Sequence, residues 1–146
     1  MSIQVTVMSR RDAERYSYGP HDTEAALISI STPEEQYDTK VYASPYNGIK
    51  RVLRLAFDDV DGGGWAMTAE DARQIAQFVA ENKDRLIIVH CDAGVSRSAG
   101  IAAALLKFYN GDDTPIFDNP KYCPNMLCYR LMLNQLIEDQ QNITQE

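Results

Sequence analysis

Hydrophobic residues alternate with other residues at the start of the chain and form short apolar runs further along. Within residues 3–8, Ile3, Val5 and Val7 fall on one face of an extended segment, which is the two-residue period of a strand. Three further strands are predicted by apolar runs at residues 25–31, 51–57 and 86–89. Residues 33–49 are polar and follow neither period, so they are interpreted as a solvated crossover or, alternatively, as a substrate-facing loop.

Capping pairs and helical spacing separate these strands. Ser9 with Asp12, and Thr68 with Asp71, have the three-residue spacing of a capping pair, which predicts a short helix and a longer one. Small residues at 99–106 predict a third helix, and a last amphipathic helix is predicted near the C-terminus. The buried faces predicted for the second and last helices are Ala72, Ile75, Ala76 and Val79, and Cys128, Leu131, Met132 and Leu136.

Strands that alternate with helices predict an α/β fold. The expected architecture is a single-domain three-layer sandwich, in which a mostly parallel central sheet of four to five strands is flanked by helices. The length of 146 residues fits one domain over 1–146, and residues 140–146 are predicted to form a frayed tail.

Charge and cysteine content narrow the possible functions. The 14 basic and 21 acidic residues give a net charge of −7, which disfavours nucleic acid and acidic membranes as partners. No apolar run is long enough to cross a bilayer and no signal peptide is recognisable, so a cytoplasmic location is expected. Three cysteines without a C-x-x-C pair argue against a disulfide scaffold or a metal site. We expect a monomer that needs no cofactor and no metal.

The segment from His90 to Ser98 carries the candidate chemistry. It joins a predicted strand to a predicted helix and so brings Cys91 to a loop, here called the cysteine loop (residues 91–97), at a helix N-terminus. Unpaired amide groups and the helix dipole favour a bound anion and a thiolate at this position. Arg97 adds a planar fork of donors that suits phosphate oxygens, and Gly94 permits a turn in which successive N–H groups point inward.

Histidine and cysteine, then five residues, then arginine and serine, on a strand, loop and helix, resemble the active-site loop of cysteine-dependent protein tyrosine and dual-specificity phosphatases. The chain is similar in size to small, atypical dual-specificity-like members of bacterial or phage type. The resemblance implies a phosphotyrosine protein phosphatase-like fold and phosphate monoester hydrolysis through a phosphocysteine on Cys91. It also implies that the phosphate is held by Asp92, Ala93, Gly94, Val95, Ser96 and Arg97. From the residues alone, a structural cysteine or a sulfurtransferase loop is the alternative.

The leaving group of such a reaction needs a proton, which the family takes from an aspartate upstream of the cysteine. Three candidates, Asp58, Asp59 and Asp61, lie in the aspartate loop (residues 58–65). Asp59 is assigned as the general acid and base by resemblance to the acid loop of small phosphatases, with Asp58 as the alternative. The glycines at 62–64 allow this loop to close on substrate. Trp65 is expected either to cover the mouth of the site or to pack in the core.

The resemblance assigns three supporting residues. Ser98 donates a hydrogen bond to the sulfur, His90 supports the loop and the ionised cysteine, and Asn125 supports the loop or caps the last helix. Cys123 and Cys128 are expected to be buried thiols, with a protective disulfide to the catalytic cysteine as the alternative.

Asp92 and the absence of lysine from the cysteine loop bear on the substrate. The charge of Asp92 opposes both a bound phosphate and a thiolate. Family members that act on inositol phosphates tend to place lysine in this loop. We therefore expect phosphorylated proteins or peptides as substrates, phosphotyrosine ahead of phosphoserine and phosphothreonine. The alternatives are a catalytically weak phosphopeptide-binding module and a phosphatase of a non-protein phosphate monoester.

Overall fold

A computed structural model describes residues 2–35 and 39–145. Its elements in chain order are β1 (Gln4–Ser9), α1 (Arg10–Ser17), β2 (Ala25–Ser31), β3 (Ile49–Ala56), α2 (Ala69–Ala80), β4 (Leu86–Cys91), α3 (Arg97–Asn110), α4 (Thr114–Phe117) and α5 (Met126–Gln145). The predicted strands and the four longer helices are confirmed. The four-residue helix α4 has no counterpart in the predictions, because it is too short to show a period.

The four strands form one parallel sheet in the order β1-β4-β2-β3. The mostly parallel sheet of the sequence prediction is confirmed, with four strands. Strand β4 lies between β1 and β2, so that Cys91 pairs with Ser9 on one side and His90 pairs with Ser29 on the other. The cysteine loop therefore follows the carboxyl end of an interior strand, and ligands bind at the carboxyl ends of strands in open α/β folds.

Helices cover both faces of the sheet, as the three-layer prediction requires. Helices α2, α3 and α5 enclose the larger core on one face, and α1 packs on the other. The parallel connection from β2 to β3 contains no helix in its described part, and residues 36–38 of the predicted crossover lie outside the described residues. The buried Asn47 fixes its end, since its side-chain amide donates to the carbonyls of Ser17 (3.0 Å) and Tyr42 (2.9 Å).

Helix boundaries follow the capping residues. The Ser9 hydroxyl accepts from the Asp12 amide at 3.0 Å, and Thr68 forms a capping box with Asp71. Helix α3 begins at Arg97, two residues before the predicted start. Helix α5 runs to Gln145, so residues 140–145 are helical where a frayed tail was expected, and Glu146 lies outside the described residues. Within the described ranges, no helix is both long and apolar enough to cross a membrane.

Candidate active site

Cys91 is the last residue of β4 and is 2% exposed. Side chains of a strand alternate between its faces, so Cys91 shares with Ile87 and Val89 the face that α3 covers. The first turn of α3 brings the Ser98 hydroxyl to 3.0 Å from the Cys91 sulfur. The buried thiol thus has one hydroxyl partner, and this is the serine that the sequence analysis named.

Gly94 lets the cysteine loop turn back against the end of β1. Its φ is +69°, and a Cβ at this position would lie 2.6 Å from the Ser9 amide nitrogen and 2.8 Å from the Met8 carbonyl oxygen. Any side chain would therefore strain the backbone and collide with it. The sequence requires glycine here for both reasons.

Three carbonyl groups of the cysteine loop accept hydrogen bonds from amides of neighbouring segments. Asp92 accepts from Arg10 at 3.1 Å, Val95 from Cys123 at 3.0 Å, and Ser96 from Asn125 at 2.9 Å. The amide groups of residues 92–96, by contrast, donate to no acceptor within the described residues. A run of unpaired amides beside a helix N-terminus is an anion-binding arrangement.

Arg97 lies under this loop and is only 4% exposed. One terminal nitrogen donates to the Phe57 carbonyl at 2.7 Å, and the other donates to the Asp92 carboxylate at 3.2 Å. Two of the five guanidinium N–H groups are thereby used. Among the described residues, the buried Nε of Arg97 has no acceptor. The second oxygen of Asp92, Oδ1, is also buried and has no donor there. The guanidinium is positioned and retains donors for an oxyanion.

His90 is completely buried on the sheet face opposite Cys91. Its Nδ1 lies 3.2 Å from the Cys91 carbonyl and its Nε2 lies 2.7 Å from the Ser29 hydroxyl. A carbonyl only accepts, so Nδ1 donates to it and Nε2 accepts from Ser29. Burial lowers the pKa of His90 below its usual value of 6.5, so the ring is neutral at neutral pH. It supports the loop through hydrogen bonds, and not by the positive charge that would favour a thiolate.

The aspartate loop brings Asp59 to the rim of the cysteine loop. One oxygen of its carboxylate, Oδ1, accepts from the Ser96 hydroxyl at 2.7 Å and from the Asn125 side-chain amide at 2.9 Å. The Asp58 side chain instead lines a neighbouring cavity together with Trp65. Of the two aspartates left open by the sequence, Asp59 is the one that contacts the cysteine loop.

The Asn125 side chain caps α5 and contacts the aspartate loop, and its backbone amide donates to the Ser96 carbonyl of the cysteine loop. Its side-chain oxygen accepts from the Cys128 amide at 3.0 Å and caps α5, while its amide nitrogen holds Asp59. Gly100 of α3 permits this arrangement, because a Cβ there would lie 2.4 Å from the Asn125 carbonyl oxygen. Close packing of α3 on α5 therefore places Asn125 beside the cysteine loop.

Trp65 does not pack in the core, since it is 67% exposed. It lines a cavity of about 440 Å³, here called the acidic groove, whose other lining residues within the described ranges are Thr32, Pro33, Glu34, Glu35 and Asp58. The prediction that both remaining cysteines are buried is wrong for Cys123, which is exposed. Burial raises the pKa of Cys128 to about 12, so that thiol stays protonated at neutral pH. All three cysteines are free, and the described residues contain no metal-binding cluster.

Sequence reasoning missed three groups of the site: Ser29, the Phe57 carbonyl and Arg10. Ser29 and Phe57 meet His90 and Arg97 only because β2 pairs with β4 and the chain after β3 passes over α3. The polar Ser29 within the apolar run 25–31 was the one available signal, because a buried hydroxyl needs a partner.

No protein-family model matches this chain, and no curated protein does. Solved structures match nearly its whole length. PTPMT1 in complex with PI(5)P is 17% identical, with 96% of this chain and 94% of that one covered and a TM-score of 0.63. A mouse putative dual specificity phosphatase complexed with zinc tungstate is 16% identical over 95% and 86%, with a TM-score of 0.63. The human tyrosine phosphatase-like serine/threonine/tyrosine-interacting protein is 17% identical over 96% and 93%, with a TM-score of 0.61. The predicted phosphatase-like fold is confirmed.

Proposed function

We propose that this chain is a cysteine-dependent phosphatase that hydrolyses phosphate monoesters on proteins or peptides, phosphotyrosine ahead of phosphoserine and phosphothreonine. The observation that carries the proposal is the pairing of a buried thiol with a buried guanidinium under a loop of unpaired amides. Cys91 is 2% exposed and Arg97 is 4% exposed, and the Nε of Arg97 has no acceptor among the described residues. A tetrahedral oxyanion would satisfy these donors.

The proposed reaction has two steps. The Cys91 thiolate attacks phosphorus while Arg97 and the loop amides bind the phosphate oxygens, so that a sulfur–phosphorus bond forms and the ester oxygen leaves. Asp59 gives its proton to that oxygen. Asp59 then takes a proton from water, which attacks phosphorus, and the sulfur leaves as a thiolate that accepts a hydrogen bond from Ser98. Inorganic phosphate is released and the free enzyme is regenerated.

Two features support a phosphorylated protein as the substrate and phosphotyrosine as the favoured residue. Cys91 is only 2% exposed, and a long phosphotyrosine side chain reaches a buried thiol more readily than the shorter phosphoserine does. The cysteine loop contains an aspartate and no lysine, which disfavours ligands with several phosphate groups.

The neighbouring structures suggest the two alternatives. PTPMT1 is described in complex with PI(5)P, which is a non-protein phosphate monoester, and another neighbour is described as phosphatase-like and as an interacting protein. A weak binding module is disfavoured because Cys91, Arg97, Ser98 and Asp59 are all present and in contact with one another or with the cysteine loop.

The first experiment tests the chemistry. Wild-type protein should hydrolyse p-nitrophenyl phosphate, and mass spectrometry after rapid acid quenching should find one phosphoryl group on Cys91. Cys91→Ser should abolish turnover. Asp59→Asn should lower kcat about 10²- to 10⁴-fold for an alkyl or phenyl phosphate, and less for p-nitrophenyl phosphate, whose leaving group needs no proton. Asp61→Asn changes the same charge two residues away and is the matched control.

Two results would contradict the proposal. Turnover without a phosphorylated Cys91 would exclude the phosphocysteine route, and an Asp61→Asn variant as impaired as Asp59→Asn would remove Asp59 from its assigned role. Phosphotyrosine peptides, phosphoserine peptides and phosphoinositides assayed side by side then decide the substrate class. Faster hydrolysis of a phosphoinositide than of every peptide would favour the non-protein alternative.

A further inference from the structure

The acidic groove lies at the same edge of the sheet as the cysteine loop. Its walls come from the segments that follow β2 and β3, and both strands end at the same edge of the sheet as β4. The residue after Thr32 is a proline, and the aspartate-loop wall is fixed by a hydrogen bond of 2.7 Å from the Asp58 amide to the Trp65 carbonyl. The groove is therefore formed by the segments that leave the carboxyl edge of the sheet.

Two chains of contacts connect the groove to the phosphate-binding groups. On one wall, Glu35 pairs with the Arg10 guanidinium at 3.3 Å, and the Arg10 amide donates to the Asp92 carbonyl at 3.1 Å. On the other wall, Asp58 follows Phe57, whose carbonyl accepts from Arg97 at 2.7 Å. Arg10 and Phe57 thus each connect a wall of the groove to the cysteine loop.

The groove combines three carboxylates with an exposed indole. Within the described residues, Glu34 and Asp58 accept no side-chain hydrogen bond, and Arg10 is already paired with Glu14 as well as with Glu35. Trp65 is 67% exposed and is the only tryptophan of the chain. An exposed indole next to unpaired carboxylates is the surface to which a lysine or arginine side chain binds, through cation–π contact and charge.

We propose that the acidic groove binds a basic side chain that neighbours the phosphorylated residue of a peptide substrate. The inference rests on the proposed function for the phosphate end of that peptide and adds its sequence preference. The Arg97 guanidinium and the loop amides then take the phosphate, and the negatively charged groove takes a lysine or arginine. Acidic neighbours and ligands with further phosphates are repelled by Glu34, Glu35 and Asp58.

Trp65 is itself the reporter for the test. Cys91→Ser protein is titrated with two phosphotyrosine peptides that differ only in the flanking residues, arginine in one and glutamate in the other, while tryptophan fluorescence is recorded. The arginine peptide is expected to bind on the order of tenfold more tightly, because an exposed ion pair and a cation–π contact each contribute a few-fold. It alone should change the Trp65 emission, and the preference should shrink as salt is added.

A matched pair of double variants locates the preference. Glu34→Gln with Glu35→Gln should reduce the ratio of the two dissociation constants to near unity. Glu81→Gln with Asp84→Asn makes an equal change in net charge at the opposite end of the sheet and should leave the ratio unchanged. Equal binding of both peptides, or loss of the preference in both double variants, would overturn the inference.

These outcomes are separate from the fate of the proposed function. Equal peptide binding by a protein that hydrolyses p-nitrophenyl phosphate overturns the inference about the groove and leaves the phosphatase. A retained preference in a protein that hydrolyses nothing supports the groove and overturns the phosphatase.

Discussion

In the proposed function, Asp92 competes with the phosphate of the substrate for Arg97. Its carboxylate lies 3.2 Å from a terminal nitrogen of Arg97, and the side chains of the pair are 38% and 5% exposed. A phosphate oxygen bound to the same guanidinium would meet this negative charge. We predict that Asp92→Asn, which keeps the size of the side chain and removes the charge, strengthens the binding of phosphate.

The magnitude follows from the distances. The guanidinium fork holds two bound oxygens roughly 5 Å apart, and two unit charges at that separation repel by about 3 kcal/mol at an effective dielectric constant of about 20. The exposed part of Asp92 is screened by solvent, so roughly half of this, about 1.5 kcal/mol, is expected to remain. That free energy corresponds to about a tenfold lower dissociation constant for phosphate.

The measurement is calorimetric titration of inorganic phosphate into Cys91→Ser protein with and without Asp92→Asn. Asp84→Asn, an exposed carboxylate at the opposite end of the sheet, makes the same change in net charge and should leave the affinity unaltered. Weaker phosphate binding by Asp92→Asn would refute the reasoning. It would mean that Asp92 acts chiefly by orienting Arg97 and not by opposing the anion.

Three further predictions concern the supports of the site. Asn125→Ala removes the cap at the Cys128 amide and one hydrogen bond to Asp59, so urea unfolding should show about 1 kcal/mol of lost stability and steady-state kinetics a lower kcat. Gly100→Ala pushes α3 away from α5 and should lower the unfolding free energy by roughly 1–3 kcal/mol in the same assay. An unchanged unfolding midpoint would contradict the close approach of the two helices. Because burial lowers the pKa of His90, the unfolded chain binds a proton at this histidine more readily than the folded chain does. The contribution of neutral His90 to stability is therefore complete above pH 6.5 and is lost as the pH falls. In urea unfolding across pH, the difference in unfolding free energy between wild type and His90→Gln should narrow on acidification.

The fold was predictable because its local signals agree with one another. Apolar runs buried on both faces, as in β2 and β4, are typical of parallel strands, and the capping pairs at Ser9 and Thr68 mark helix starts. The strand order was not predictable in the same way. It depends on which apolar faces meet across the sheet, and no local pattern encodes that choice. Helix α4 and the extension of α5 to Gln145 were missed because short or polar helical segments depend on their packing partners.

The residues of the site were likewise predictable where they are close in sequence, and not where they depend on the strand order. The spacing within one strand, loop and helix contained Cys91, Arg97 and Ser98, because local geometry alone brings them together. Ser29 lies on β2 and Phe57 follows the end of β3, and both reach the site only through the strand order. The choice between Asp58 and Asp59 as the residue beside the cysteine loop likewise needed the position of α5, since Asn125 is the residue that holds Asp59.

The way in which Asp59 is held determines which of its oxygens is available for proton transfer. Ser96 and Asn125 both donate to Oδ1, and Oδ2 has no hydrogen bond within the described residues. A carboxylate oxygen that accepts two donors is poorly placed to carry a proton, so in the proposed mechanism the proton given to the leaving group is on Oδ2. The two donors come from the cysteine loop and from the cap of α5, and their positions are fixed by the elements that also fix Arg97. The groups proposed to bind phosphate and the proposed acid are thus aligned by shared elements, although the chain around Asp59 contains three consecutive glycines.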